Sequence, residues 1–416
     1  MSVERKAPDI RFQEFSRDWQ NKKIGSVLAE TKRPIELLDN ELYQLVTVKR
    51  RNEGVVPRAT LKGKNILVKN YYGIKSGDYL ISKRQVVHGA NGVVPENLNN
   101  AVVSNEYLVV TDGDEITAEF WSVISKRPEM HKLFFISSYG VDIEKLVFDV
   151  SDWKNRTITI PDVAEQNAIT NHFQRLDSLI NQHQQKHDKL SNIKKAMLEK
   201  MFPKQGENTP EIRFKEFSGE WEGIKFSEIF NEKDGIRRGP FGGSIKKDMF
   251  VSKSDYVVYE QRNAIYDRYD TRYNISKEKY QELINFSLSS GDFIMSGAGT
   301  IGKVSRVPDD VKQGVFNQAI IRMKINDERV DSEFFLQWIR SGKMQEKLTE
   351  SNPASAMVNL VPMSELKAWD VVIPSKGEQT AIGHYFQKLD NLINRHQQQI
   401  IKLNNIKQAC LKKMFV

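Results

Sequence analysis

Two tandem α/β (α+β) domains, each followed by a long helix, are the fold that this sequence predicts. Its 416 residues exceed the size of one ordinary domain core. Several segments occur twice in the same order, and each half changes from short β-rich runs to one long helical pattern. Because the two helices match each other, we expect them to pair as an antiparallel coiled coil with pseudo-two-fold symmetry.

The composition is that of a globular protein whose charge favours a polyanionic partner. Hydrophobic residues make up 39% and charged residues 28%, with a net charge of +8. The single cysteine, Cys410, excludes a disulfide framework and a cysteine-based zinc site within one chain. The first residues are charged, and no apolar run approaches the length of about 18 residues that a membrane span needs. We therefore expect a cytoplasmic protein without a membrane partner.

The repeated segments define a duplication whose copies differ mostly in one variable stretch. The matching pairs are residues 7–15 with 209–217, Trp19 with Trp221, 77–82 with 291–296, 176–185 with 389–398, and 200–202 with 413–415. Two copies of about 200 residues are much longer than the repeats of solenoid proteins. The predicted segments are a first variable domain at 1–158, a first helical spacer at 159–206, a second variable domain at 207–371 and a second helical spacer at 372–416.

Each helical spacer is predicted to be one long helix that opens at a proline, Pro161 or Pro374. Heptad counting then gives a seam in each helix. The seam residues are Leu176, Leu179, His183, Leu190, Ile193 and Met197 in the first helix, and Leu389, Leu392, His396, Leu403, Ile406 and Cys410 in the second. A helix that only covers its own domain is the alternative, but two nearly identical seams favour pairing. We interpret the two histidines as polar residues that set the register.

Each variable domain mixes short strands and turns with a later helical pattern, and its strand order cannot be predicted. The predicted strands are 43–48, 78–82 and 105–110 in the first half and 256–259, 293–295 and 319–323 in the second. The predicted helices are 119–126 and 332–348.

Basic and amide residues, mixed with aromatic ones, lie between these strands. They are Lys49, Arg50, Arg51, Tyr71, Lys83, Arg84, Gln85, His88 and Asn91 in the first half, and Arg237, Arg238, Gln261, Arg262, Asn263, Arg268, Arg272, Tyr273 and Lys303 in the second. Arginine and lysine can bind phosphates or guanine, and amide side chains can bind adenine. Any one of them taken alone is better explained as a solvated loop residue. Their recurrence in both halves of a basic chain favours nucleic-acid binding.

Three motifs resemble parts of catalytic sites without completing them. Residues 297–302 have the G-x-G-x-x-G pattern, but the residues after them are β-branched and end at Pro308, so we predict neither a helix nor a cofactor site there. A phosphate loop would need Ser or Thr where Val304 stands. Residues 352–355 lack the second proline and the aromatic residue of the amino-methyltransferase motif, and the Asp-x-Lys at 310–312 is explained by a turn. The sequence predicts no catalytic residue and no metal site.

Taken together, the doubled motifs resemble the specificity subunit of Type I restriction–modification enzymes over essentially the whole chain. The resemblance rests on the doubled P-x-I-R-F-x-E-F segment with its tryptophan, on the two Gly-Asp islands, and on Ile-Pro…Glu-Gln followed by Leu-Asp-x-Leu-Ile-Asn. It implies that each variable domain is a target recognition domain that reads one half of a split DNA sequence. It also implies that the paired helices set the gap between the halves and dock two modification subunits.

The same resemblance implies that this chain is a non-catalytic subunit that binds no cofactor itself. Modification subunits would use S-adenosylmethionine, and restriction subunits would use ATP and Mg²⁺ on double-stranded DNA. Because the variable domains differ, the implied target is asymmetric. A self-contained DNA methyltransferase or nuclease, and a scaffold that binds only proteins, are the alternative functions.

Overall fold

The computed structural model describes residues 7–67, 70–204, 206–349 and 363–416. The chain forms two compact units: a first unit of Met1–Gln184 with Gln398–Val416, and a second unit of Gln185–Gln397. Each unit therefore combines one variable domain with part of both long helices. The segment boundaries predicted at residues 158, 206 and 371 follow secondary structure and stay a prediction.

In the first half, the strands are β1 (Gln20–Lys23), β2 (Ala29–Glu30), β3 (Pro34–Ile35), β4 (Leu42–Val48), β5 (Val55–Lys62), β6 (Tyr71–Gly73), β7 (Tyr79–Ser82), β8 (Asn91–Val93), β9 (Val102–Ser104), β10 (Tyr107–Thr111), β11 (Ser138–Tyr139), β12 (Val147–Phe148) and β13 (Thr157–Ile160). The helices are α1 (Ile24–Val27), α2 (Ala118–Ile124), α3 (Pro128–Ile136), α4 (Val150–Lys154) and the long α5 (Val163–Lys200).

In the second half, the strands are β14 (Glu222–Lys225), β15 (Ile236–Arg238), β16 (Phe250–Val251), β17 (Tyr256–Tyr259), β18 (Tyr273–Ile275), β19 (Phe293–Ser296), β20 (Val304–Arg306), β21 (Gly314–Phe316), β22 (Ile320–Met323) and β23 (Asp370–Ile373). The helices are α6 (Gln261–Tyr266), α7 (Lys277–Glu282), α8 (Ser332–Ile339), α9 (Gly342–Thr349), α10 (Met363–Ala368) and the long α11 (Lys376–Lys413).

The two variable domains share a four-stranded sheet and the three-stranded core of a second sheet, which the sequence does not reveal. Within the described residues, the first has sheets ordered β3-β6-β9-β4-β5 and β2-β10-β7-β8, and the second has β16-β18-β17-β21 and β15-β22-β19-β20. The arrangement β9-β4-β5 corresponds to β21-β17-β18, and its one parallel pair recurs in both domains. A further pair, β1 with β13 or β14 with β23, precedes each long helix. The predicted mixed α/β class in two tandem copies is confirmed.

The predicted strands all coincide with observed ones, and the helix predicted at 119–126 is α2. The single helix predicted at 332–348 is wrong in one respect: it is divided into α8 and α9, because the chain turns at Arg340 and Ser341. No helix in the described part of the chain has both the length and the apolar character that a membrane span requires.

The doubled N-terminal segments place an arginine on a buried carboxylate in each unit. Arg11 donates from Nε and Nη2 to the two carboxylate oxygens of Glu165, both at 2.7 Å, and Trp19 Nε1 lies 3.2 Å from the same carboxylate. Arg213 makes the equivalent bonds to Glu378 at 2.7 and 2.6 Å. Each glutamate side chain is almost completely buried, so the charge depends on its arginine. These hydrogen bonds raise the pKa of both arginines.

The adjacent glutamine of each Glu-Gln pair binds backbone groups at the start of its long helix. Gln166 Nε2 donates to the carbonyls of Glu115 and Pro161 at 2.7 and 2.9 Å, and its Oε1 accepts from the Thr117 amide at 3.1 Å. Gln379 makes the corresponding set of three contacts in the second unit. The repeated motif is therefore explained by how the helix is joined to its domain.

Each unit core is closed by a phenylalanine from the end of the helix that belongs to the other half of the sequence. In the first unit, the Phe415 ring lies 5.9 to 6.2 Å from the rings of Trp19, Phe120 and Phe173. In the second unit, the Phe202 ring lies 5.9 to 6.2 Å from the equivalent rings of Trp221, Phe334 and Phe386. The repeated Lys-Met-Phe segment thus completes a core.

The two long helices pack antiparallel within each unit. In the first unit, Lys407 forms an ion pair with Asp177, and Cys410 Sγ lies 3.7 Å from a ring nitrogen of His172. In the second unit, Lys194 forms the equivalent ion pair with Asp390 at 2.6 Å. Leu176, Leu389, Leu190, Ile193, Met197, Leu403 and Cys410 from the predicted seams lie in or against the two unit cores.

Three predicted seam residues are exposed and lie one position away from the packed side, whereas Ile193 in the first seam packs against a unit core. Leu179, Leu392 and Ile406 are 42%, 38% and 38% exposed, whereas Ile180 and Ile400 lie on the packed side. After Leu176, Leu389 and Leu403, the next residue on the packed side lies four positions further along the helix and not three. Residues on one face of a helix with 3.6 residues per turn alternate between spacings of three and four. His183 and His396 stay on the packed side, as does the lysine of each ion pair.

Candidate nucleic-acid interface

Loops that follow three strands meet at one edge of the two larger sheets in the first unit. β4 and β9 run parallel, so both end at this edge. Ser82, the last residue of β7, pairs with Tyr107, which follows the turn at 105–106 directly. The connections at 49–54, 83–90 and 105–106 therefore lie together, and we name them the first edge.

Several hydrogen bonds join the β4–β5 hairpin to the turn after β7. Arg50 Nε donates to Gln85 Oε1 at 2.8 Å, and the Arg51 amide donates to the His88 carbonyl at 2.7 Å. Glu144 accepts from Arg50 Nη2 at 2.6 Å and lies 3.6 Å from His88 Nε2. Predicted residues that are far apart in sequence thus form one polar cluster.

Lys83 and Arg84 lie beside the 105–106 turn. Lys83 Nζ donates to the Asn105 carbonyl at 2.7 Å, and Arg84 Nε donates to the Glu106 carboxylate at 2.8 Å. The second hydrogen bond raises the pKa of the Arg84 guanidinium, which stays charged at any working pH. Both cations are therefore held by acceptors that leave them at the surface.

The remaining first-half candidates differ in exposure. Tyr71 pairs in register with Ser104, the last residue of β9, and is half-buried. Lys49 Nζ lies 3.9 Å from Glu53, and both side chains are exposed. Asn91 is only 2% exposed, so its predicted base contact is not available at the surface. As the first residue of β8, it faces the interior instead.

The tip of the β4–β5 hairpin depends on unusual backbone conformations. Arg51 and Asn52 have φ of 61° and 56°, a region that asparagine tolerates better than most residues. A Cβ on Gly92 would lie 2.9 Å from Gly54 Cα, so the hairpin approaches β8 more closely than a side chain would allow. Sequence reasoning did not single out Asn52, although this tip positions Arg51.

The second unit repeats the same arrangement of loops. β17 and β21 run parallel and end at Tyr259 and Phe316. Ser296, the last residue of β19, pairs with Ile320, the first residue of β22, and β15 ends beside the same strand. We name these loops the second edge; they are 239–244, 260–272, 297–303 and 317–319.

The β17–β18 connection carries most second-half candidates. Arg272 donates from Nε and Nη2 to the Glu260 carboxylate at 2.9 and 2.7 Å, and its guanidinium lies 5.3 Å from the Tyr273 ring centre. Arg262 forms an ion pair with Asp270 at 2.7 Å. The bonds to Glu260 raise the pKa of Arg272. The Glu260 side chain is 15% exposed, whereas those of Arg272, Arg262 and Asp270 are 55%, 31% and 56% exposed.

Asn263, in contrast, is buried and holds the local backbone. Its Nδ2 donates to the carbonyls of Arg268 and Asp270 at 2.7 and 3.0 Å, and its Oδ1 accepts from the Glu260 amide at 2.7 Å. With both ends of the amide engaged, the predicted role in reading adenine is not supported. Arg268 is exposed, and Gln261 is half-buried with no hydrogen bond to its Oε1 from any described residue.

The glycine-rich loop at 297–302 belongs to the second edge and does not open a helix. β20 begins directly after Lys303, which confirms the expectation from the sequence. The Lys303 amide donates to Ser296 Oγ at 3.1 Å, and its side chain is exposed. Residues 352–355 lie outside the described residues. Across the described ranges, no group of three His, Cys, Asp or Glu side chains could hold a metal ion.

Arg237 and Arg238 close the second edge at the end of β15. Arg237 Nε lies 3.3 Å from Asp234, and its guanidinium lies 5.9 Å from the Phe286 ring centre. Arg238 Nε donates to the Gln318 carbonyl at 3.4 Å. The edge thus also includes Gln318, which sequence reasoning missed because only the strand pairing brings it here.

A comparison with known protein families matches the second half of the chain. Residues 219–405 match the family model described as "Type I restriction modification DNA specificity domain". The match runs from the segment before β14 into α11 and so includes the whole second edge.

Relatives extend the likeness to the whole chain. The specificity subunit of the Type I restriction enzyme MjaVIII from Methanocaldococcus jannaschii is 20% identical over 402 residues, covering 90% of this chain and 87% of that protein. A crystal structure of a Type I restriction–modification S subunit from M. genitalium matches with a TM-score of 0.54 at 14% identity, covering 99% of both chains. A chain from a structural study of type I R-M complex assembly matches with a TM-score of 0.51 at 14% identity, covering 95% of this chain and 97% of that one. The resemblance inferred from the doubled motifs is confirmed, and the first unit contains sheets similar to those of the matched second half.

Proposed function

We propose that each unit reads one half of a bipartite, asymmetric DNA target through its edge. The chain acts as the specificity subunit of a Type I restriction–modification complex and carries no catalytic group of its own. Modification subunits supply methyl transfer from S-adenosylmethionine, and restriction subunits supply ATP- and Mg²⁺-dependent translocation and cleavage.

The observation that carries this proposal is the equivalence of the two edges. Loops at the same topological positions bear cations and amides in both units, although their sequences are unrelated. Two domains that bind different base sequences in the same way require loops at equivalent positions with different side chains.

The electrostatics of the edges suit a partner that can replace carboxylates with phosphates. Arg50, Arg84 and Arg262 each hold an exposed or half-exposed acid. Exposed pairs of this kind contribute little to stability, so phosphate oxygens can compete for the cation at small cost. Arg51 and Lys303 are exposed, and none of the described carboxylates lies within 4 Å of either. These two cations can bind DNA without first breaking an ion pair.

The helices are proposed to set the gap between the half-sites and to dock the modification subunits. The antiparallel contacts within each unit support a pairing of α5 with α11. On α11, Ile401 and Ile406 are 52% and 38% exposed, and this partly apolar face is available to another subunit. Inserting four residues near position 185 of α5 should change the length of the unspecified gap and leave both half-sequences unchanged. A changed half-sequence with an unchanged gap contradicts this role.

The deciding experiment is co-expression with a modification subunit, followed by single-molecule sequencing of methylated bases in host DNA. We expect a split, asymmetric motif that disappears when this chain is deleted. A motif that persists without the chain contradicts the proposal. Methyl transfer or cleavage by the purified chain alone would identify a self-contained enzyme. Stable complexes that bind no DNA at any salt concentration would identify a protein scaffold.

A further inference from the structure

The loop after β15 holds an aromatic ring in solvent at the second edge. Phe241 is 93% exposed and lies in the segment Gly-Pro-Phe-Gly-Gly. Isolated exposed apolar residues are common on protein surfaces, so exposure by itself decides nothing. What distinguishes this ring is how firmly the backbone on both sides is attached to the neighbouring loop.

The segment on the N-terminal side of the ring is fixed by a close backbone approach. The Gly239 amide donates to the Ile320 carbonyl at 2.9 Å, and a Cβ on Gly239 would lie only 2.0 Å from the Asn317 carbonyl oxygen. Only glycine fits in that space. Pro240, which follows, is buried and has a fixed φ. The direction of the backbone at Phe241 is therefore fixed.

The C-terminal side is fixed as well. The Ser244 amide donates to the Phe241 carbonyl at 2.8 Å, which closes a turn at the ring. A Cβ on Gly242 would lie 2.7 Å from Gln318 Oε1, so this glycine also lies against the 317–319 loop. The aromatic side chain is thus presented by an ordered loop and not by a free one, which lowers the entropy lost when it binds.

The charges around the ring indicate the class of its ligand. Between residues 236 and 248 stand Arg237, Arg238, Lys246 and Lys247 against one acid, Asp248. A rigid apolar residue surrounded by cations matches a base contact flanked by phosphates, since cations bind the DNA backbone while apolar side chains contact or wedge between bases.

We propose that Phe241 contacts the bases of the half-site that the second unit reads. The proposal rests on the function proposed above and adds a specific residue to it. The ring lies against the bases, and Arg237 and Arg238 bind the phosphates beside them. Loss of the ring therefore weakens binding to one half-site and relaxes its base preference.

The test uses the complete complex of this chain with its modification subunits and a duplex that carries the methylated motif. Phe241→Ala should weaken binding about tenfold or more, the scale of one buried aromatic side chain, and Phe241→Trp should restore most of the affinity. On a duplex with a scrambled second half-site, Phe241→Ala and the wild type should bind equally. Sequencing of methylated DNA should show relaxed preference in one half-site only.

Val251→Ala is the matched control. Val251 is 38% exposed in the same domain, but its strand register places it level with the start of β17, away from the second edge. A Phe241→Ala complex that binds and methylates like the Val251→Ala complex overturns the proposal. So does a Phe241→Ala chain that fails to assemble with modification subunits without DNA, since the ring would then bind protein. If the wild-type complex methylates no split motif, the proposed function itself fails.

Discussion

Replacing Arg11 with methionine should destabilise the first unit far more than the replacement of any exposed arginine. The substitution keeps most of the aliphatic volume but leaves the Glu165 carboxylate, whose side chain is 2% exposed, without its cation. Two charge-assisted hydrogen bonds at 2.7 Å are lost with it. Removing one partner of such a buried pair typically costs about 3–5 kcal/mol, because the remaining charge stays desolvated.

For a compact unit of about 200 residues, this cost corresponds to a fall of roughly 6–20 °C in the midpoint of thermal unfolding. Differential scanning calorimetry of the full chain measures it, because two compact units can unfold in separate transitions. Arg213→Met removes the equivalent cation from Glu378 and should lower the transition of the second unit by a similar amount. Arg84→Met, which breaks an exposed pair, serves as the control and should leave both transitions in place.

A result in which Arg11→Met and Arg84→Met unfold at the same temperature refutes this reasoning. It would mean that water or the Trp19 indole, whose Nε1 lies 3.2 Å from the carboxylate, solvates Glu165 without the arginine. A single transition lowered by both Arg11→Met and Arg213→Met would show that the units unfold together. That outcome changes the cooperativity assigned to the chain, not the cost of the unpaired charge.

Three further predictions test single contacts. Burial raises the pKa of Asp292, so its ionised form costs stability as pH rises above the ordinary carboxyl pKa. Asp292→Asn should therefore stabilise the chain at neutral pH in urea unfolding. Asp78→Asn should instead destabilise it, because this substitution weakens the 2.6 Å ion pair of Asp78 with Arg33. Lys194→Asp should destabilise the second unit through repulsion with Asp390, and the added Asp390→Lys should restore thermal stability if the pair sets the helix register. Phe415→Ala should cost about 3–5 kcal/mol in the same assay, because the ring fills an aromatic core. Equal stability of this variant and the wild type would show that the core closes without the ring.

The sequence was sufficient for the features that depend on local pattern. Short runs of β-branched and aromatic residues gave the positions of the six predicted strands, and the absence of glycine and proline gave the extent of α5. The duplicated Gly-Asp segments could be recognised in the sequence, and their role is also local. Asp78 and Asp292 each accept a hydrogen bond from the backbone amide three residues earlier. The glycine that precedes each aspartate has a φ of 87° or 82°.

Features that depend on distant pairing could not be predicted. The bond between Arg11 and Glu165 joins residues 154 positions apart, and the edges exist only because β4 lies beside β9 and β17 beside β21. Within the candidate set, burial separated Asn263 from its neighbours although the sequence around it is polar. The prediction of which seam residues face inward was partly wrong for a simpler reason. Spacings of three and four residues between inward-facing positions are equally compatible with a short heptad pattern.

The repeated and variable parts of the chain have separable physical roles. The contacts that close each unit lie in repeated segments: the arginine–glutamate pair, the Lys-Met-Phe core, and the bond from the Ile10 amide to the Lys413 carbonyl at 3.0 Å, which recurs from Ile212 to Lys200 at 2.9 Å. The loops of both edges lie in the variable stretches, so a change of edge sequence leaves those closing contacts in place. In each unit one closing segment comes from the other half of the sequence, so a fragment that ends at Gln184 lacks part of its own core. The fold therefore permits the sequence of either edge to change independently, while it requires both helices to be present.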